Sequence, residues 1–127
     1  MTSPRHPNNY PSNLNCQWEV RTSAGPIVIN ILDFKTKSGY DFVKIDGPGL
    51  ELGDLAAHSR NMLQLSGTTC ITKVTSRLPA INITMTSGPI FKDKGFDMRI
   101  VAFITGRHIV LQCYFGKVSH FYTVTLG

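Results

Sequence analysis

The chain has 127 residues, of which 42% are hydrophobic and 17% are charged, and its formal net charge is +5. This length suits one domain, and the composition excludes a disordered tail, a collagen-like repeat and a low-complexity segment. No apolar run approaches the roughly 20 residues of a membrane-spanning helix, so we expect no membrane insertion by this segment. The Lys and Arg residues are scattered and lack interleaved aromatic residues, which argues against nucleic acid as a partner.

The first half of the chain is predicted to form strands separated by turns. Residues 16–21 alternate between apolar and polar side chains, with Trp18 on the apolar side, and this period of two is typical of a strand with one buried face. Residues 27–34 are nearly all apolar, which predicts a strand that is either buried on both faces or central in a sandwich. Residues 40–45 alternate again, and residues 46–49 (Asp-Gly-Pro-Gly) predict a tight turn.

The second half continues the same pattern. Residues 62–65 and 74–75 are short strand candidates, residues 81–85 alternate with apolar side chains inward, and residues 95–103 form another alternating run. Only residues 54–60 are compatible with a short helix. Seven or so short strands joined by turns rich in Gly, Pro, Ser and Asn indicate an all-β protein, in the form of a β-sandwich.

The last segment, residues 104–127, differs in composition from the rest. It contains no acidic residue, and its apolar blocks at residues 109–111 and 121–124 flank Gly116 and Lys117. Two strand-like runs around a glycine-containing turn predict an extra hairpin, which needs to pack on the domain because an isolated hairpin is marginal in water. The alternative is a C-terminal extension that is not part of the domain.

Three segments of the sequence carry a family resemblance. Residues 3–20 read SPRHPNNYPSNLNCQWEV, residues 40–48 read YDFVKIDGP, and residues 94–100 read KGFDMRI. Their order and spacing resemble the opening segment, the central signature and the closing strand of CUB domains. The resemblance covers residues 3–103, which we predict to be a CUB-like domain, followed by the extension or hairpin at residues 104–127.

The resemblance implies a fold and a general function. CUB domains are two-sheet antiparallel β-sandwiches of jelly-roll-like topology, and they serve as extracellular interaction modules without catalytic chemistry of their own. The expected partner is therefore an extracellular protein or glycan ligand, and the expected location is the extracellular space or the cell surface. Two alternatives remain, namely the targeting domain of a secreted astacin-like or serine protease, and a polyanion-binding protein similar to spermadhesins, which the net charge of +5 favours.

The cysteines depart from the pattern that the resemblance implies, which is four cysteines in two disulfide bonds. Cys16 and Cys70 match the second and fourth, Ser38 stands where the third belongs, and the first would lie before residue 3. Neither family bridge is therefore expected. Pairings of Cys113 with Cys16 or with Cys70 stay open by count, although we favour three buried free thiols. The polar start and the missing first cysteine predict an N-terminally truncated fragment or an incomplete gene product.

The resemblance also raises the question of calcium, which many CUB domains bind through three acidic residues with a tyrosine nearby. Tyr10 and Asp41 match two of these positions, but residues 35–39 offer two lysines and no acid, and Gly88 stands where an Asp is expected. Calcium needs six to eight oxygen ligands, usually with two or more carboxylates. We therefore predict no metal and no other cofactor, with Tyr10 and Asp41 as weak metal candidates and Asp33 as an alternative acid. Asp41 is predicted to be a structural carboxylate that accepts hydrogen bonds from backbone N–H groups.

Other motifs are few. The four histidines lack metal-ligand spacing, and neither HExxH nor GxSxG occurs, so we predict no catalytic residues and no enzymatic activity. Asn82 begins the one N-x-S/T sequon, Asn82-Ile83-Thr84, and the alternation of this strand turns Asn82 outward. It is the candidate for N-glycosylation in a secreted product.

Overall fold

The structure is a computed structural model that describes residues 1–21, 26–52, 55–77, 79–90, 93–102, 107–115 and 118–126. Across these ranges there are nine strands and no helix. In chain order the strands are β1 (Leu14–Arg21), β2 (Ile27–Lys35), β3 (Phe42–Leu52), β4 (Leu55–Leu65), β5 (Lys73–Ser76), β6 (Ala80–Thr86), β7 (Gly95–Ala102), β8 (Arg107–Phe115) and β9 (Val118–Leu126). All pairings among them are antiparallel.

The strands form two packed layers. Neighbouring strands follow the order β7-β2-β5-β3-β6-β1-β8-β9, with β4 paired to β3. This path folds over on itself, since the ring of Trp18 in β1 contacts the ring of Phe96 in β7. Strand β3 connects the layers because its first half pairs with β6 whereas Glu51 and Leu52 pair with β5. The result is the two-sheet antiparallel sandwich that the sequence predicts.

The core lies between the layers and is filled by alternate residues of each strand. In β1 and β6 the burial pattern has a period of two, as the sequence predicts. Burial of these apolar side chains is the main stabilising contribution to the fold. The large side chains that are almost completely buried are Tyr10, Leu14, Trp18, Ile27, Ile29, Ile45, Leu50, Ile81, Ile83, Met85, Phe96 and Met98.

Strand β2 is not buried on both faces, so that alternative is wrong, but it is an inner strand that pairs with both β5 and β7. The side chain of Leu32 is 62% exposed. The pairing of β2 with β7 shifts its register between Ile31 and Asp33, which makes Leu32 an extra residue on this strand. A bulge of this kind changes the phase of the alternation, and Phe34 is therefore buried on the same side as Ile31.

Two further local predictions are wrong. Residues 55–60 belong to strand β4 and do not form a helix, because the backbone pairs with β3, for instance Leu50 with Arg60. Residues 46–49 do not end a strand with a tight turn. They lie within β3, where the register shifts between Asp46 and Leu50 and Gly49 adopts a φ of 68°. In both cases backbone pairing between β3 and β4 outweighs the local preference.

The C-terminal segment has the backbone of a hairpin. Strand β8 pairs with the whole length of β1, from Leu14 opposite Phe115 to Arg21 opposite His108, and β9 pairs with β8. This is one of the two alternatives that the sequence leaves open. The division into a domain of residues 3–103 and an extension of residues 104–127 stays a prediction.

The N-terminal residues add a short pairing to β7. Thr2 forms a bridge with Asp97, the Met1 amino group donates to the Met98 carbonyl at 3.0 Å, and the Met98 amide donates back to the Met1 carbonyl at 2.8 Å. Further along, the Tyr10 amide donates to the Asp93 carbonyl at 3.0 Å. These bonds bring Tyr10 to the end of the sandwich where the candidate site lies.

Candidate functional site

The candidate site lies at one end of the sandwich, where three loops meet the N-terminal segment. Phe42 pairs with Thr86, so the loop before β3 and the loop after β6 lie at the same end. The loop after β4 joins them, because the Thr36 amide donates to the Gly67 carbonyl at 2.9 Å. We use the term Asp41 cluster for the hydrogen-bonded residues of these segments, which are Tyr10, Thr36, Asp41, Ser66 and Gly88.

The carboxylate of Asp41 is at the centre of the cluster and is completely buried. Its Oδ1 accepts a hydrogen bond from the Gly88 amide at 2.7 Å, and its Oδ2 accepts one from the Tyr10 hydroxyl. The Gly88 bond confirms the expectation that Asp41 accepts from a backbone N–H. A buried carboxylate is tolerated only where such donors compensate its desolvation.

The backbone of Asp41 is held as firmly as its side chain. Its carbonyl accepts hydrogen bonds from the hydroxyls of Ser66 at 2.8 Å and Thr36 at 3.2 Å, and its amide donates to the Lys37 carbonyl at 3.0 Å. The Thr36 hydroxyl also accepts from the Gly67 amide at 2.9 Å. Asp41 thus connects its own loop to the N-terminal segment, to the loop after β4 and to the loop after β6.

The phenol of Tyr10 is fixed from two sides. Its oxygen accepts a hydrogen bond from the Lys37 amide at 3.2 Å while its proton is directed to Asp41. The pKa of the Tyr10 phenol is raised well above its ordinary value, mainly because the ring is buried and secondly because the hydroxyl donates to Asp41. Tyr10 is therefore a hydrogen-bond donor at neutral pH and not a phenolate ligand.

These residues do not fit a calcium ion. The groups that approach the two Asp41 oxygens are hydrogen-bond donors, an N–H and an O–H. A calcium site instead needs several oxygen ligands whose negative charge offsets the charge of the ion. In the part of the chain that the structure describes, no buried side-chain nitrogen or oxygen lacks a hydrogen-bond partner. The same residues include no group of three His, Cys, Asp or Glu side chains that could hold a metal. Asp33, the alternative acid, is bonded to His6 and Lys94.

The surface of this end combines apolar and basic side chains. Tyr40 is 59% exposed and Ile90 is 74% exposed, on the loops before β3 and after β6. Lys35 and Lys37 are also exposed, next to these loops. The cluster beneath this surface fixes the backbone, so the loops present an aromatic, an aliphatic and two cationic side chains from a rigid base.

A second polar group ties the N-terminal segment to β2. His6 Nε2 lies 3.0 Å from Asp33 Oδ2, and Lys94 Nζ lies 3.1 Å from Asp33 Oδ1. The pKa of Asp33 is lowered below its ordinary value, mainly by the hydrogen bond from His6 and secondly by the one from Lys94. Nothing in the sequence pattern indicates this group, because its three members come from distant segments.

Asn82 lies on the outward face of β6, where its side chain is exposed. Its cross-strand neighbours are Glu19 in β1 and Asp46 in β3. Together with Arg21 and Asn61 these residues line a shallow depression of about 390 Å³. The sequon asparagine is thus sterically accessible, and its surroundings are polar.

The cysteines are not three buried free thiols, so that prediction is wrong. Cys16 is completely buried and disulfide-bonded, whereas Cys70 is a free and exposed thiol. The backbone register places Cys113 opposite Cys16 in the β1–β8 pair. The sequence leaves this pairing open because residue counts contain no information on strand register.

Comparisons with known proteins agree with this architecture. The family model of the CUB domain matches residues 1–100, and the chain belongs to the CUB domain family. The fold is similar to that of the MASP-1 CUB2 domain, whose crystal structure was solved bound to Ca²⁺. The TM-score is 0.65 at 19% sequence identity, and the match covers 80% of this chain and 89% of that one.

CUB domains are generally non-catalytic modules that typically bind protein partners outside the cell. The described residues contain no helix that is long and apolar enough to cross a membrane.

Sequence reasoning found part of this site and missed part of it. It identified Tyr10 and Asp41, and the structure brings these two side chains into direct contact. It treated Gly88 only as a missing acid, although the Gly88 amide is a donor to Asp41. It gave no role to Thr36 or Ser66, whose hydroxyls hold the Asp41 carbonyl. Hydroxyl residues in loops are too common to mark such contacts in advance.

Proposed function

We propose that this chain is a non-catalytic extracellular recognition module that binds a protein or glycan ligand through the loops at the Asp41 end. The observation that carries the proposal is the exposure of Tyr40 and Ile90 directly beside the Asp41 cluster. Aromatic and aliphatic anchors on a rigid base bind with little loss of conformational entropy. Loops positioned by a rigid scaffold are where binding residues concentrate.

Two features bear on an extracellular location. Cys16 is disulfide-bonded, and structural disulfides persist in secreted and cell-surface proteins but are rare in reducing compartments. Asn82 is exposed within its sequon, so it is available for N-glycosylation if the chain passes through the secretory pathway. The proposal accordingly includes a glycoprotein product.

The test measures binding of the chain, produced in a secretory host, to a panel of purified extracellular ectodomains and to a glycan array. Tyr40→Ala and Ile90→Ala are compared with Leu32→Ala, which truncates an equally exposed side chain in the middle of β2. We expect the first two changes to weaken binding at least about tenfold and the third to leave it unchanged. Binding lost with Leu32→Ala alone, or no binding to either panel, would contradict the proposal.

A polyanion ligand is the second candidate function. The observation that favours it is the pair of exposed lysines, Lys35 and Lys37, in a chain with a net charge of +5. Specific polyanion contacts release counterions and keep the protein on heparin above physiological salt. If Lys35→Ala/Lys37→Ala does not lower the salt concentration that elutes the chain from heparin, this candidate fails.

A third candidate is the targeting domain of a secreted protease. In that role the chain would bind through the same loops at the Asp41 end.

A further inference from the structure

We infer that the Asp41 end of this domain is organised without calcium, because hydrogen bonds from Tyr10 and Gly88 hold the Asp41 carboxylate. The solved CUB domain of similar fold was determined with Ca²⁺ bound, so the inference separates this chain from it. It concerns the assembly of the loops and does not depend on which ligand they bind.

Both oxygens of the Asp41 carboxylate accept hydrogen bonds from protein donors, the Gly88 amide for Oδ1 and the Tyr10 hydroxyl for Oδ2. Each oxygen keeps a second lone pair, but a calcium ion placed on it would lie beside a donor hydrogen whose partial positive charge opposes the ion. The Gly88 amide belongs to a backbone that is also held by the bond from the Asn13 amide to the Gly88 carbonyl at 3.0 Å. These donors therefore compete directly with a cation.

The charges around the cluster also oppose calcium. An ion with two positive charges needs converging carboxylates, and Asp41 is the one acid of the Asp41 cluster, since the carboxylate of the neighbouring Asp93 accepts a hydrogen bond from the Lys94 amide. Lys37 contributes its amide to the Tyr10 oxygen, which puts a cationic residue next to the cluster. Lys35 and Lys37 are both exposed at this end of the domain, and their positive charges oppose the entry of a divalent cation.

Gly88 supplies its amide to Asp41 and adds no charge beside it. Gly88 does not have a φ in the left-handed region, and a Cβ built on it would lie 3.5 Å from Asp41 Oδ1 and 4.0 Å from the Tyr40 carbonyl oxygen. A side chain is thus sterically acceptable there. An acidic one would bring a second carboxylate next to Asp41, and the repulsion between the two would favour binding of a cation or a proton.

The experiment compares melting temperatures in about 1 mM calcium and in EDTA, a concentration at which extracellular calcium modules are largely occupied. We expect the wild-type melting temperature to be the same in both. The variant Gly88→Asp/Lys37→Glu is expected to melt lower in EDTA and to regain stability as calcium is added. The neutral control Gly88→Asn/Lys37→Gln has similar volumes and is expected to show no calcium dependence.

A second measurement tests the hydrogen bond itself. Tyr10→Phe keeps the buried ring and removes the donor to Asp41, and we expect it to lower the melting temperature by roughly 5–10 °C, equally with and without calcium. A calcium-dependent rise in the wild-type melting temperature would overturn the inference. So would a Gly88→Asp/Lys37→Glu variant that stays unresponsive to calcium, or a Tyr10→Phe variant as stable as the wild type.

Discussion

The indole ring of Trp18 meets the ring of Phe96 edge to face, with centroids 5.2 Å apart and an interplanar angle of 70°. Trp18 is in β1 and Phe96 is in β7, so this contact joins the two layers at the centre of the core. Both side chains are almost completely buried. The edge-to-face arrangement suits the aromatic quadrupoles and adds to the stabilisation from burial.

Loss of the contact between Trp18 and Phe96 is expected to destabilise the domain strongly. Trp18→Ala removes a buried aromatic side chain and leaves a cavity, which costs about 3–5 kcal/mol. A double-mutant cycle with Trp18→Leu and Phe96→Leu is expected to give a coupling energy of about 0.5–1.5 kcal/mol. Urea denaturation measures both quantities, with the exposed Gln17→Ala as control. A midpoint for Trp18→Ala within error of the wild type would exclude Trp18 from the core.

Gly95 and Gly39 form a matched pair for testing a close approach of the N-terminal segment. Both have a left-handed φ, 83° and 80°, but a Cβ at Gly95 would lie 1.9 Å from Ser3 Oγ, whereas a Cβ at Gly39 would contact nothing within 4 Å. Gly39→Ala is expected to cost about 1–2 kcal/mol of backbone strain. Gly95→Ala is expected to cost roughly 1–3 kcal/mol more, because it also displaces Ser3. Equal losses in denaturation experiments would show that Ser3 does not pack on Gly95.

The ion pairs of Asp33 predict a specific pH dependence. The pKa of Asp33 is lower in the folded state than its ordinary value of 3.8, so the folded state favours the charged carboxylate. The resulting stability is fully present above about pH 4 and is lost as the pH falls through the folded-state pKa. Asp33→Asn is therefore expected to lose about 1 kcal/mol or less at pH 6, since the group is partly exposed, and to match the wild type near pH 2. A difference in unfolding free energy that does not change over this range would contradict the assignment.

The cysteines are expected to differ sharply in reactivity. Iodoacetamide should label the exposed thiol of Cys70 in the native protein, whereas Cys16 should react only after reduction. Peptide mapping without reduction should find the Cys16 peptide joined to another one, and the β1–β8 register leads us to expect Cys113 as the partner. Cys70→Ser should abolish labelling and keep the linked peptide. A Cys16–Cys70 linkage would refute this assignment.

Asn82 is expected to carry an N-glycan when the chain enters the secretory pathway. Its side chain is exposed and its neighbours across the strands leave a shallow open depression. Treatment with a peptide N-glycosidase should increase the electrophoretic mobility of the wild type and of Thr84→Ser, which keeps the sequon. Thr84→Ala should show no change, because it removes the hydroxyl residue that the sequon requires. A mobility change that persists in Thr84→Ala would assign the glycan elsewhere.

The sequence by itself determined the all-β class, which residues of β1 and β6 face the core, and the family. Alternation between neighbouring residues is local information, and it is visible wherever one face of a strand is buried, as for Trp18. The motifs around Tyr10 and Asp41 likewise lie within short stretches of chain. This is why the two central residues of the candidate site could be named in advance.

Only the tertiary structure decided which groups face one another. Whether Gly88 supplies a donor and whether Cys16 has a partner depend on segments far apart in the chain, and whether residues 55–60 extend along β3 depends on the pairing of two strands. The bulge at Leu32 depends in the same way on its pairing with β7. A hydrogen bond or a strand register is a property of two segments at once, and a pattern read along one segment does not contain it.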